Sequence, residues 1–284
     1  MATCPAFRHP EETADDFDRR RPRVRLPGAA RRGLLLLANA WDAGSARLAQ
    51  AAGARAIATS SAAVAWAHAW PDGDALPVEL LLQTVRAVAG AVEVPVSADI
   101  EGGYSDDPAR VGELVGRVID AGAVGINIED GASEPALLCA KIAAARAAAR
   151  ERGVDLYVNA RTDVWLRGLA EPGRRAAEAV RRGALYREAG ASGLFVPGIT
   201  AEADIAAVVA GIAMPVNVMA FPGLPELERL RALGLRRYSA GAAIGMAVNA
   251  LALAMMRDFL ATGHVQAYGV PALSYPELNA LMKR

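Results

Sequence analysis

The sequence predicts a (β/α)8 TIM barrel, an α/β fold closed by eight parallel strands, with an N-terminal extension and extra C-terminal helices. Three observations carry this. Short β-rich runs alternate eight times with longer Ala/Leu/Arg runs of helical character, and that alternation builds a parallel sheet. The chain has 284 residues, a length that suits one closed barrel. The first strand candidate is not followed by GxGxxG, which argues against an open dinucleotide-binding sheet.

The strand candidates are residues 34–39 (LLLLAN), 55–59 (RAIAT), 94–99 (VPVSAD), 124–129 (VGINIE), 155–160 (DLYVNA), 193–198 (GLFVPG), 215–220 (PVNVMA) and 235–240 (LRRYSA). Between them lie segments such as PARVGELVGRVIDAGA, with apolar residues at helical spacing and a Gly-containing exit. Gly53, Gly122, Gly190 and Gly234 each stand just before a strand, as glycines that end helices do. Residues 1–27 are expected to form an N-terminal arm. Two helices, 243–262 and 274–283, follow the eighth strand across a Gly/Pro-containing link. No composition shift divides the barrel, so residues 1–284 are expected to form one domain.

Composition narrows the function classes. Apolar residues make up 53% of the chain, and 31 basic residues balance 31 acidic ones. Nucleic acid and anionic membranes both favour a basic excess, so neither is an expected partner. The most apolar stretch, 242–256, is interrupted by Asn249 and is shorter than the roughly 20 residues of a spanning helix. Acidic residues break the N-terminus before a signal core could form, so a soluble, cytoplasmic protein is expected. Cys4 and Cys139 are too few for a disulfide framework and lack zinc-site spacing. Lys141 and Lys283 are the only lysines. Lys141 sits in an Ala-rich helical run and Lys283 next to the C-terminus, so a Schiff-base aldolase is disfavoured. The histidines are His9, His68 and His264. Acid-base chemistry therefore falls to carboxylates, Tyr, water or a metal.

A barrel active site lies at the carboxyl ends of the strands. Those ends are polar: Asn39, Trp41 and Asp42; Thr59, Ser60 and Ser61; Asp99 and Glu101; Glu129 and Asp130; Asn159, Arg161 and Asp163; and Asn217 within the seventh. Carboxylates converging on one mouth repel each other unless a cation sits among them. A set of hard oxygen ligands suits Mg2+ or Mn2+.

The run VPVSADIEGGYSDDP (94–108) resembles the metal-binding strand and turn of the isocitrate lyase/phosphoenolpyruvate mutase superfamily. NAWDAGSAR (39–47), TSSAAVAWAHAWPDGD (59–74), GINIEDG (125–131), VNARTDVWL (158–166) and PVNVMA (215–220) are similar to its other segments, in order and spacing. The resemblance covers roughly residues 34–246. It implies Asp99 as direct metal ligand, Glu101 and Glu129 holding metal-bound waters, and Asp72 assisting from the second loop. It implies Ser60, Ser61 and Ala62 offering backbone N–H groups to a substrate carboxylate. Arg161 would pair with substrate oxygens, and Asn217 would be a pocket hydrogen-bonder. Trp41 is a candidate for packing over the substrate, and Tyr104 a candidate proton donor. Relatives are often tetramers that exchange their last helices, a role that suits residues 243–256.

The chain also departs from that pattern. Many relatives have Asp where Glu101 stands. The Lys-Lys-Cys-Gly-His type of loop after the fourth strand is replaced by DGASEPALLCAKIAAAR (130–146), in which Cys139 falls inside a helix as inert packing. The Asn-containing loop of the phosphonate-forming mutases is missing too. The expected function is a Mg2+-dependent lyase that cleaves a C–C bond of a small 2-oxo or 2-hydroxy carboxylate through an enolate, as an oxaloacetate decarboxylase does. The alternatives are C–P chemistry on phosphonopyruvate, by hydrolysis or phosphoryl shift, and a non-catalytic carboxylate-binding barrel. Bland readings stand beside these: Asp99 as a cap, Asp72 as a turn residue, Asp163 as the partner of Arg161, and His68 as a packed structural histidine.

Overall fold

The computed structural model describes residues 33–265 and 272–283. The expected N-terminal arm, Cys4, His9 and part of the link between the two last helices lie outside the described residues. All eight strand positions are found. The first is divided into β1 (Leu35–Leu37) and β2 (Asn39–Ala40), where one strand over 34–39 was expected. Then follow β3 (Ile57–Thr59), β4 (Val96–Asp99), β5 (Gly125–Glu129), β6 (Tyr157–Arg161), β7 (Gly193–Phe195), β8 (Val216–Met219) and β9 (Arg237–Ser239).

Each strand pairs in parallel with its successor, in the order β1-β9-β8-β7-β6-β5-β4-β3-β2. β1 pairs with β9, while β2 pairs with β3. The first strand therefore joins both edges of the sheet, and the barrel closes. Closure staggers neighbouring strands. The lower and upper halves of the first strand thus face different partners, and Ala38 marks the change.

The helices are α1 (Ala43–Ala51), α2 (Ser61–Ala67), α3 (Val78–Ala91), α4 (Pro108–Asp120), α5 (Pro135–Glu151), α6 (Arg175–Ala189), α7 (Glu202–Gly211), α8 (Leu227–Ala232), α9 (Ala243–Thr262) and α10 (Tyr275–Met282). α4 shows how local chemistry sets them. Asp107 caps its start, accepting from Ala109 N at 2.9 Å, and Pro108 occupies the first turn. Val111, Leu114, Val115, Val118 and Ile119 recur at helical spacing and are buried. Each such burial contributes about 1.5–3 kcal/mol. Gly122, at φ 106°, carries the chain out of the helix toward β5.

The main core fills the space between the strands' outer faces and the helices, with Ile126, Ile128, Leu138, Ile142, Val158 and Leu194 at its centre. The barrel's inner face is different. Asn159 Nδ2 donates to Asn127 Oδ1 at 2.8 Å, and Arg237 Nε donates to Asn217 Oδ1 at 3.0 Å. Such interiors are commonly filled by branched apolar residues. This one joins a small apolar cluster of Leu35, Leu37, Ala56, Ala58 and Tyr157 to polar side chains that lead to the strand ends.

Past the barrel, α9 is 20 residues long and by length and composition could cross a membrane. That corrects the shorter estimate from residues 242–256. Gly245 is its one buried residue, and Met246, Leu253, Met256, Phe259 and Leu260 stand exposed. α10 returns to the barrel, where Arg47 of α1 donates to the carbonyls of Leu281 and Lys283.

Candidate active site

The centre of the site is Arg161, the last residue of β6. Its Nη1 lies 2.6 Å from Glu129 Oε2, at the end of the neighbouring β5. Its Nε and Nη2 reach Asp163 Oδ1 and Oδ2 at 2.7 and 3.1 Å. The two-point fork fixes the guanidinium plane. These carboxylates hold Arg161 in its charged form, above the usual guanidinium range despite burial. Asp163 is thus a structural partner of Arg161. Its own N–H donates to Asp130 Oδ1 at 2.9 Å.

Asp130 anchors the back of the site. Its Oδ2 accepts from Thr162 Oγ1, Arg182 Nη1 and Tyr186 Oη at 2.7, 2.9 and 2.6 Å. So Glu129 and Asp130, adjacent in sequence, point to opposite sides of β5, as strand geometry requires.

Asp99 ends β4 and is buried. Its Oδ1 accepts from Glu101 N at 3.1 Å, and its Oδ2 lies 3.4 Å from Asn127 Nδ2. Thr59 Oγ1 accepts from Asp99 N at 2.8 Å. Asn159 is among the polar strand ends read from the sequence, with no role given to it, and Asn127 is not among them. Both stand two positions before Glu129 and Arg161 on the same faces, so a strict period-two reading marks Asn127 as well.

Glu101 departs from expectation. Its backbone has φ 51°, and its carboxylate turns to the loop before α3, where Oε2 accepts from Gly73 N at 2.8 Å and from Asp74 N. Tyr104 Oη donates to Glu101 Oε1 at 2.9 Å. Burial, then the negative charge of Glu101, push the Tyr104 phenol well above its usual range. Asp72 lies exposed in that loop.

Among the described residues, no three Asp, Glu, His or Cys side chains lie close enough to ligate one ion together. The expected gathering of Asp99, Glu101, Glu129 and Asp72 is therefore not one of shared coordinating contact. It is electrostatic. Burial raises Glu129 to about 8, with Arg161 opposing and Asp99, Asp163 and Glu101 adding repulsion. Burial raises Asp99 as well, and Asp72 adds repulsion there. Carboxylates that destabilise one another's ionised forms fit a cation, and all are hard oxygen donors. Mg2+ keeps several waters, so one direct ligand with others reached through water is an ordinary arrangement. The donor set fits.

The remaining candidates divide. Ser60 caps α2, its Oγ accepting from Ala63 N at 3.5 Å, and Ser61 and Ala62 form that helix's first turn. Trp41 follows β2 and packs beside Gly245 of α9. Asn217, expected as a pocket hydrogen-bonder, has its Nδ2 donating to Val218 O and Ser239 Oγ at 2.8 and 3.2 Å, and its Oδ1 accepting from Arg237. Its amide is engaged inside the barrel wall. His68 Nε2 sits 2.9 Å from Thr84 Oγ1, a packed position. Cys139 lies in α5 with its thiol raised by burial.

The sequence pattern of the phosphoenolpyruvate phosphomutase family matches residues 29–260. An uncharacterized protein of Mycobacterium tuberculosis is 37% identical over 211 residues, covering 72% of this chain and 77% of that protein. An oxaloacetate decarboxylase of Bradyrhizobium sp. is 30% identical over 177 residues, covering 59% and 58%. The crystal structure of a phosphonopyruvate hydrolase in complex with oxalate and Mg2+ superposes with a TM-score of 0.75 at 27% identity, covering 87% and 89%. The site and these likenesses agree: the chain belongs to the phosphoenolpyruvate phosphomutase family, within the isocitrate lyase/phosphoenolpyruvate mutase superfamily.

Proposed function

We propose that the protein is a Mg2+-dependent lyase that cleaves a C–C bond of a small 2-oxo or 2-hydroxy carboxylate, leaving an enolate. The observation that carries this is Arg161, fixed by Glu129 and Asp163 beside the buried Asp99. Asp99 would hold the ion directly, with Glu101, Glu129 and Asp72 reached through water; Mn2+ is the alternative metal. When bound, the ion supplies Lewis acidity toward the substrate's oxygens.

The chain's own residues do the rest. Arg161 presents a preorganised positive charge where the enolate oxygen develops. The N–H groups of Ser61 and Ala62 orient the substrate carboxylate, and Trp41 covers it, whereas the Ser60 N–H is donated to Ala40 O at 3.1 Å. Bond cleavage leaves the electron pair on the carbon next to the former carbonyl, delocalised onto oxygen, and a proton must then return to that carbon. Burial raises the Glu129 carboxyl to about 8, which makes it one group suited to supply that proton, and Tyr104 is the second. Oxaloacetate decarboxylation is the simplest reaction of this set, because it requires no dedicated thiol acid.

The test is protein stripped with EDTA, restored with Mg2+ and assayed on C4 to C7 keto- and hydroxy-diacids. Absence of turnover on the whole panel sinks the lyase reading. The likeness to a phosphonopyruvate hydrolase favours a second reading, C–P cleavage, which phosphate release from phosphonopyruvate would decide. Tight oxalate binding with no activity on either panel would point to a non-catalytic carboxylate-binding barrel.

We also infer that α9 pairs with a second copy of the chain, as a dimer or tetramer. A long helix with exposed apolar rows, whose chain returns to dock α10 on the same barrel, suits a subunit interface. The reading keeps the protein cytoplasmic, with no nucleic-acid or membrane partner.

A further inference from the structure

The 31 basic residues include only two lysines, and one of them, Lys141, is buried. It projects from α5 with 7% of its side chain exposed, and its Nζ donates to Gly102 O at 2.8 Å and Asp106 Oδ1 at 3.2 Å. Gly102 and Asp106 both lie in the loop that runs from β4 to α4 and follows the site's Asp99. In that loop Glu101, Gly103 and Tyr104 all take left-handed backbone conformations, with φ 51°, 91° and 57°. Such a conformation is unfavourable for Glu and Tyr and persists only where the surroundings enforce it.

Part of the enforcement comes from the neighbouring loop. Glu101 grips the N–H groups of Gly73 and Asp74, and Tyr104 N donates to Asp74 Oδ1 at 3.3 Å. Backbone bonds add to it, from Glu129 N to Glu101 O at 3.0 Å and from Gly103 N to Ile100 O at 2.8 Å, and Lys141 adds a side-chain tie to α5. We propose that Lys141 is a positioning residue: its ammonium ties loop 102–106 to α5 and so fixes Glu101 and Tyr104 at the site.

The choice of lysine in an arginine-rich chain fits this role. A compact ammonium reaches a carbonyl from a buried start, where a planar guanidinium would need more room. Asp106 is 88% exposed, so its ion pair contributes little. The Gly102 carbonyl carries the effect. The consequence for metal binding rests on the function proposed above, whereas the effect on the loop does not.

The experiment is amide hydrogen exchange on the full chain without added metal, comparing wild type, Lys141→Met and Asp106→Ala, followed by Mn2+ titration. Lys141→Met is expected to speed exchange in residues 102–107 at least tenfold while the other barrel segments keep their protection. Asp106→Ala should change it less than threefold. Mn2+ affinity of Lys141→Met should fall at least fivefold. Unchanged exchange in 102–107, or a uniform rise across the barrel, overturns the proposal. So does a loosened loop that binds Mn2+ at wild-type affinity. If Lys141→Met does not fold, Lys141→Gln is read against the same outcomes. A protein inert on every acid tested would end the lyase reading and leave the exchange result standing.

Discussion

Arg161 touches two carboxylates from different parts of the chain, Glu129 on β5 and Asp163 two residues beyond it. Lysine there would keep the charge and lose the fork. Arg161→Lys is expected to lower kcat/KM roughly 100- to 1,000-fold while the circular dichroism spectrum stays native, the scale of losing one oriented donor at a developing oxyanion. A fall of less than tenfold would remove Arg161 from the chemistry. A second residue-scale prediction concerns Gly193. A Cβ there would stand 2.3 Å from Tyr157 Oη and 3.0 Å from Pro215 O. Pro215 O is backbone and cannot swing aside. Gly193→Ala should therefore cost about 1–3 kcal/mol in urea unfolding, the range for overpacking. The sequence offered a glycine at a strand start, but only the closed barrel shows what stands opposite it.

Between elements, α6 is tied to β5 by charge. Arg182 Nη1 meets Asp130 Oδ2 at 2.9 Å, and its Nε meets Glu178 Oε1 at 2.8 Å. Glu178 also accepts from Arg181, and the hydrogen bond from Arg181 is the chief reason its carboxyl is lowered to about 2. A carboxylate with a depressed folded-state value adds stability above its unfolded value, near 4.5. That stability is lost as pH falls toward 2. Glu178→Gln should therefore cost about 1 kcal/mol at pH 7, discounted for the solvent near Arg181. The thermal unfolding curves of variant and wild type should converge as the pH drops from 5 to 2. A gap that stays constant would show that the carboxylate charge is not what matters. Helical spacing predicted the outer helices well, but the reach of Arg182 to Asp130 spans 52 residues. No local pattern announces such a pair.

For the whole molecule, two expectations follow. If the acidic mouth holds a divalent cation, Mg2+ at a hundredfold over its dissociation constant should stabilise the fold by about 2.7 kcal/mol. Differential scanning calorimetry in EDTA and in excess Mg2+ reads this as a higher melting temperature, and equal temperatures would count against the metal. The exposed rows of α9 should make the protein oligomeric in light scattering. Glu substitutions at Leu253 and Phe259, exposed 49% and 52%, should yield a monomer with the barrel intact. A wild-type monomer would show that α9 serves something else.

The sequence alone determined the barrel, its eight strand positions, the glycines that end its helices and the polar strand ends. These follow from local rules, period two in strands, 3.6 in helices and the backbone freedom of glycine. Only the tertiary structure decided that Glu101 turns to the loop at 73–74, that Glu129 and Asp163 share Arg161, that Asn217 is engaged in the wall, and that Lys141 reaches the loop after β4. Each of these depends on barrel stagger and loop path, which bring together groups far apart in the chain, and no local periodicity encodes that distance.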